Sequence, residues 1–140
     1  MTNLMLAQSY LIKAKKRLPA LKVLLEEEAY SDVVREAQEI VELSLKGMLR
    51  AVGVEPPKWP DVGGLILEYR DKFVEEVACQ AERIAQISKR LRRERELSFY
   101  GEVDFIPTES YTKEDALLAY EEAQEVVTLA EKVIPFNEKP

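Results

Sequence analysis

Residues 30–53, YSDVVREAQEIVELSLKGMLRAVG, decide the reading of the fold. Val33, Val34, Ala37, Ile40, Val41, Leu45, Met48 and Val52 fall on one stripe of a helix and on no strand face. Ser31 or Asp32 is the expected N-cap, and Gly53 stops the helix. Upstream, Leu4, Ala7, Leu11, Ala14, Leu18, Leu21 and Leu25 recur at alternating steps of three and four, a narrow apolar seam on a second long helix. Pro19 lies inside that seam and predicts a kink or a split near residues 15–19. Downstream, the run from Glu55 through Pro56, Pro57 and Trp59 to Pro60 is barred from helix and reads as a connector, with Trp59 packed on the bundle end. A third helix is expected from Asp61, or from just past Gly63-Gly64, to about residue 97 through Ile66, Tyr69, Phe73, Val77, Ala81, Ile84, Ile87 and Leu91. Residues 100–107 read as irregular. Thr112 and Asp115 then form a capping box for a last helix through Ala116, Leu117, Tyr120, Ala123, Val127, Ala130 and Ile134. The expectation is an all-α, up-and-down four-helix bundle in a single domain over residues 1–140.

The composition removes whole classes of chemistry. The chain has 140 residues, no histidine, one cysteine and a formal net charge of −6. Without histidine there is no Ser-His-Asp triad, no His-ligated zinc and no di-iron site of the Glu-x-x-His type. A lone Cys79 rules out an internal disulfide and paired-cysteine zinc motifs, and it reads as a small buried apolar residue. No cofactor and no metal are expected. The first residues carry their lysines after their apolar positions, the reverse of a signal peptide, and no apolar run reaches the ~18 residues of a membrane span. A cytoplasmic protein with no membrane partner is expected.

Charge is unevenly spread. Lys13, Lys15, Lys16 and Arg17 cluster on the first helix, and Arg83, Lys89, Arg90, Arg92, Arg93 and Arg95 crowd the end of the third. Residues 96–140 are acidic. The basic run can be a phosphate or nucleic-acid footprint. It can equally be a solvated helix end that matches the macrodipole, with Arg90–Glu94 and Arg92–Glu96 as i,i+4 pairs. Glu39 and Glu42 suggest an acid pair, but Lys46 stands four residues after Glu42 and an ion pair accounts for it. Gly63-Gly64 lacks the surroundings of a phosphate loop.

Several stretches together resemble a known family. Residues 30–53, and Ala37, Gln38, Val41, Glu42, Lys46, Leu49 and Gly53 in particular, are similar to the second helix of HEPN domains. Pro56-Pro57 followed by Asp61-Val62-Gly63 resembles the family's connector, residues 92–101 (RRERELSFYG) its motif region, and residues 111–116 (YTKEDA) the start of its fourth helix. The resemblance covers about residues 4–134.

That resemblance implies a dimerising helical bundle, often paired with a minimal nucleotidyltransferase in a toxin–antitoxin-like couple. Many members are RNases whose motif is an arginine followed four to six residues later by histidine. Arg95 matches the arginine and Glu96 the polar position after it, but the histidine position is Tyr100; the connector histidine is also replaced, by Trp59 or Pro60. A phenol with a pKa near 10 is a poor general base at neutral pH. Tyr100 can instead hydrogen-bond a phosphate, stack on a base, or simply close the bundle end. The leading expectation is a homodimeric subunit, catalytically weak or inactive, that binds nucleotide or RNA phosphate through Arg90, Arg92, Arg93, Arg95 and Tyr100. The alternatives are a metal-independent endoribonuclease with Arg95, Tyr100 and Glu96 as catalytic residues, and a structural helical adaptor without a ligand.

Overall fold

A computed structural model describes residues 2–59 and 61–136. Four long helices carry the core: α1 (Thr2–Glu26), α2 (Tyr30–Ala51), α5 (Ala81–Phe99) and α7 (Lys113–Val133). Between α2 and α5 lie α3 (Gly63–Glu68), a 3₁₀ turn (Arg70–Lys72) and α4 (Glu75–Ala78), and α6 (Pro107–Ser110) precedes α7. Side-chain pairs fix the directions. Arg50 near the end of α2 bonds Asn3 at the start of α1, Arg95 of α5 reaches Glu39 of α2, and Gln8 of α1 donates to the Pro135 carbonyl beyond α7. Thus α1 and α5 run one way and α2 and α7 the other. The up-and-down arrangement holds, with α2 packed against α1, α5 and α7.

The predicted seams are the buried ones. Ala7, Leu11, Ala14 and Leu21 of α1, and Val33, Ala37, Ile40, Leu45 and Met48 of α2, are at most 1% exposed. At Gly53, φ is +86°, and the amides of Gly53 and Val54 bond the carbonyls of Arg50 and Leu49. This is the Schellman closure that Gly53 announces. Thr112 and Asp115 make the full capping box.

Other expectations are corrected. The first helix is not split at Pro19: α1 is continuous, and Pro19 sits on its exposed side while the apolar seam passes underneath. Neither Ser31 nor Asp32 caps α2, because α1 turns into it through only three residues. Glu28 takes φ +59°, Ala29 donates to Leu24 O, and α2 begins at Tyr30 with no side-chain cap. The third helix is not one helix from residue 61 to 97. The backbone is extended at Phe73 and Val74, so that Ile66, Phe73 and Val77 are buried from separate short segments. That tertiary burial overrides a helical pattern containing no breaker. Trp59 is 62% exposed and does not pack on the bundle end. Cys79 is exposed as well, at the end of α4. Pro60 and the acidic Glu138 lie outside the described residues.

The turn leading from α5 to α6 is tightly built. Glu102 and Phe105 exchange backbone hydrogen bonds of 3.0 Å, and Gly101 turns into them at φ +68°. A Cβ at Gly101 would lie 2.4 Å from Phe105 O and 2.5 Å from Pro107 Cδ. Both the backbone angle and the space exclude a side chain. We expect Gly101→Ala to cost about 2 kcal/mol in urea unfolding, since strain and clash add; a change within experimental error would contradict this reading of the turn.

Candidate phosphate site at the end of α5

Two of the six cations on α5, Arg83 and Arg90, are answered by the acidic α7. Arg83 Nε and Nη2 donate to Glu125 at 2.7 and 2.8 Å, and both terminal nitrogens of Arg90 grip Glu122, which is only 4% exposed. Hydrogen bonding to Glu125 raises Arg83, and that to Glu122 raises Arg90. The expected pairs Arg90–Glu94 and Arg92–Glu96 are not formed among the described residues; Arg90 turns instead to Glu122 of α7, where two-headed guanidinium bonding is available. Glu94 instead accepts the Tyr111 hydroxyl at 2.5 Å, and burial, followed by that hydrogen bond, pushes the phenol well up. Glu42 and Lys46 pair at 2.9 Å, as their spacing implies.

The Arg83 bond holds the Glu125 carboxyl below its ordinary value. The stabilisation is therefore present above the unfolded carboxyl's pKa of ~4.3 and is lost as pH falls through the lower folded value. Acid unfolding of Arg83→Gln should begin at higher pH than that of the parent; superimposable acid transitions would contradict it.

Beyond this neutralised seam, Arg95, Glu96, Phe99 and Tyr100 line a cavity of about 190 Å³ together with Arg35 from α2. The helix places Arg95 and Phe99 one turn apart, and α5 ends as Tyr100 begins the turn at Gly101. The Arg35 guanidinium lies 4.4 Å over the Phe99 ring, and Phe99 and Tyr100 meet edge to face at 4.7 Å. Tyr100 is 76% exposed, so it presents a ring face to solvent and does not close the bundle. Glu39 lies behind the arginines, with Oε2 3.4 Å from Arg95 Nη2 and 3.5 Å from Arg35 Nη1. Arg17 bonds Glu36 at 3.0 Å and stands 4.0 Å from Glu39. Arg95 Nε is buried without a hydrogen-bond partner among the described residues.

The structure thus brings Arg95, Glu96 and Tyr100 into one cavity. Arg90 and Arg93 lie elsewhere, with Gln86 and Lys89 along a shallow depression of about 340 Å³, and Arg92 lines neither. Arg35 escaped sequence reasoning because its i,i+4 partner Glu39 gives it the look of an ordinary surface pair. Only the packing of α2 against α5 reveals it. Among the described residues no cluster of metal-ligating side chains is present, and no helix is long and apolar enough to cross a membrane.

A family model of the HEPN domain matches residues 7–133. The chain belongs to the HEPN domain family. Comparisons with curated proteins and with solved structures give no match. Membership carries a nucleotide- or RNA-related role at the level of the family, whose domains commonly dimerise. The all-helical fold agrees with it.

Proposed function

We propose that this HEPN domain is a dimeric subunit that binds the phosphate of a nucleotide or of single-stranded RNA, with little or no cleavage of its own. A minimal nucleotidyltransferase is its proposed partner, in a toxin–antitoxin-like pair. The observation that carries the reading is the cavity of Arg35, Arg95, Phe99 and Tyr100. Guanidinium groups beside exposed aromatic rings suit a phosphate with an attached base: the arginines take phosphate oxygens and a ring takes the base. The chain has no histidine, and Glu96 is the carboxylate that lines the cavity. Glu96 and Tyr100 are its remaining polar groups, and neither is joined to a hydrogen-bonded relay among the described residues. The more distant Arg92 and Arg93 would act as a diffuse positive rim for a longer strand, whereas Arg90 is committed to Glu122.

The juxtaposition of Arg95, Glu96 and Tyr100 also supports a second reading, a metal-independent RNase with the phenol in place of the motif histidine. Incubation with single-stranded RNA in chelator separates the two. The binding subunit retards the RNA in a gel and leaves it intact. Cleavage by the parent that disappears in both Arg95→Ala and Tyr100→Phe would establish the RNase. RNA neither bound nor cut would leave the adaptor reading.

A further inference from the structure

The two kinds of arginine pair in this protein differ sharply. Arg83 closes on Glu125 with both bonds at 2.7–2.8 Å, the geometry of a settled guanidinium–carboxylate pair. Arg35 and Arg95 instead approach the same oxygen of Glu39 at 3.5 and 3.4 Å, and Arg17 stands 4.0 Å from its other oxygen. Three guanidinium groups converge on a carboxylate that is held by one long hydrogen bond, from Arg95. In that arrangement Arg95 leaves a buried Nε–H unpaired, a cost that an acceptor reached by turning the guanidinium would remove.

We infer that Glu39 is a resident counter-anion that competes, from behind the cavity, for Arg35 and Arg95, and that the ligand is a phosphate entering the cavity and drawing those two guanidinium groups away from it. The inference rests on the phosphate-binding reading and adds to it the residues Arg17 and Glu39 and a selection rule. At rest, Arg17, Arg35 and Arg95 share Glu36 and Glu39, with Glu96 lining the same cavity, so a ligand must offer more than a lone carboxylate does. A phosphate has more oxygens to share among separate forks, and a terminal phosphate carries nearly two charges. A 5′-phosphorylated end is therefore preferred over an internal phosphodiester. Phe99, already covered by Arg35, keeps that guanidinium at the cavity as it turns from Glu39.

The test uses the full chain and a fluorescent single-stranded oligoribonucleotide with a 5′-phosphate or a 5′-hydroxyl. Glu39→Gln should bind the phosphorylated probe about fivefold more tightly than the parent, because two weak, partly solvated ion pairs no longer compete. Glu42→Gln adds the same charge one turn along α2, away from the cavity, and should change affinity far less; equal gains in the two variants would reduce the effect to net charge and overturn the proposal. Arg35→Ala should weaken binding by a similar factor. Loss of binding in Arg95→Ala with no gain in Glu39→Gln would overturn the resident-anion proposal while leaving the phosphate site standing. No binding by either the parent or Glu39→Gln would overturn both. Should Glu39→Gln fail to fold in chloride buffer, inorganic phosphate at matched ionic strength should restore its thermal transition. Failure in both buffers would make Glu39 a structural counter-ion and overturn the proposal.

Discussion

Arg90→Ala should be the most destabilising truncation of a charged side chain on α5, costing about 3 kcal/mol in urea unfolding. Its partner Glu122 is 4% exposed, and the guanidinium is the one cation bonded to it among the described residues. Truncation leaves a carboxylate in the α5–α7 seam without a counter-charge. The double variant Arg90→Leu/Glu122→Leu should recover much of the loss, since an apolar pair of similar volume avoids desolvating either ion. Stability unchanged within 0.5 kcal/mol in Arg90→Ala, where about 0.5 is the scale of an ordinary surface substitution, would show the pair to be decorative.

Arg95→Ala should behave in the opposite way, leaving stability nearly intact and damaging binding. Glu39 retains Arg35 and lies within reach of Arg17, so no buried charge is stranded. The lost contact to phosphate is a charge-assisted hydrogen bond worth about 1.5–3 kcal/mol, or at least about tenfold in affinity. The salt dependence should also become shallower by roughly one unit, since one phosphate neutralisation is gone. Tyr100→Phe keeps a ring for stacking and should bind within about twofold of the parent, whereas Tyr100→Ala should lose more, as stacking is worth about 1–3 kcal/mol per base. Titrations by fluorescence anisotropy at two salt concentrations check all of these.

Much of the fold was legible because the apolar spacing of α1 and α2 leaves one solution, and because Gly53 and Thr112-x-x-Asp115 mark ends by local chemistry. Where local chemistry is silent, sequence reading failed. Glu28 turns the chain with no glycine to announce it, and Phe73 and Val74 go extended within a faultless helical pattern, for the sake of contacts distant in sequence. The candidate site divides along the same line. Arg95, Glu96 and Tyr100 stand together in six residues and could be read together. Arg35 lies sixty residues away from Arg95 in sequence, and only the crossing of α2 and α5 brings it over Phe99. The basic run on α5 looked like one patch because the sequence could not show Glu122 and Glu125 facing it.

The phosphate site at Arg95 is tested most directly by one titration. A 5′-phosphorylated single-stranded RNA, in chelator, is titrated with the parent and with Arg95→Ala, and the same samples are run on a gel. The account predicts saturable binding of intact RNA by the parent and an affinity at least about tenfold lower for the variant. Equal affinities in the two proteins, with Arg95→Ala still folded, would contradict it.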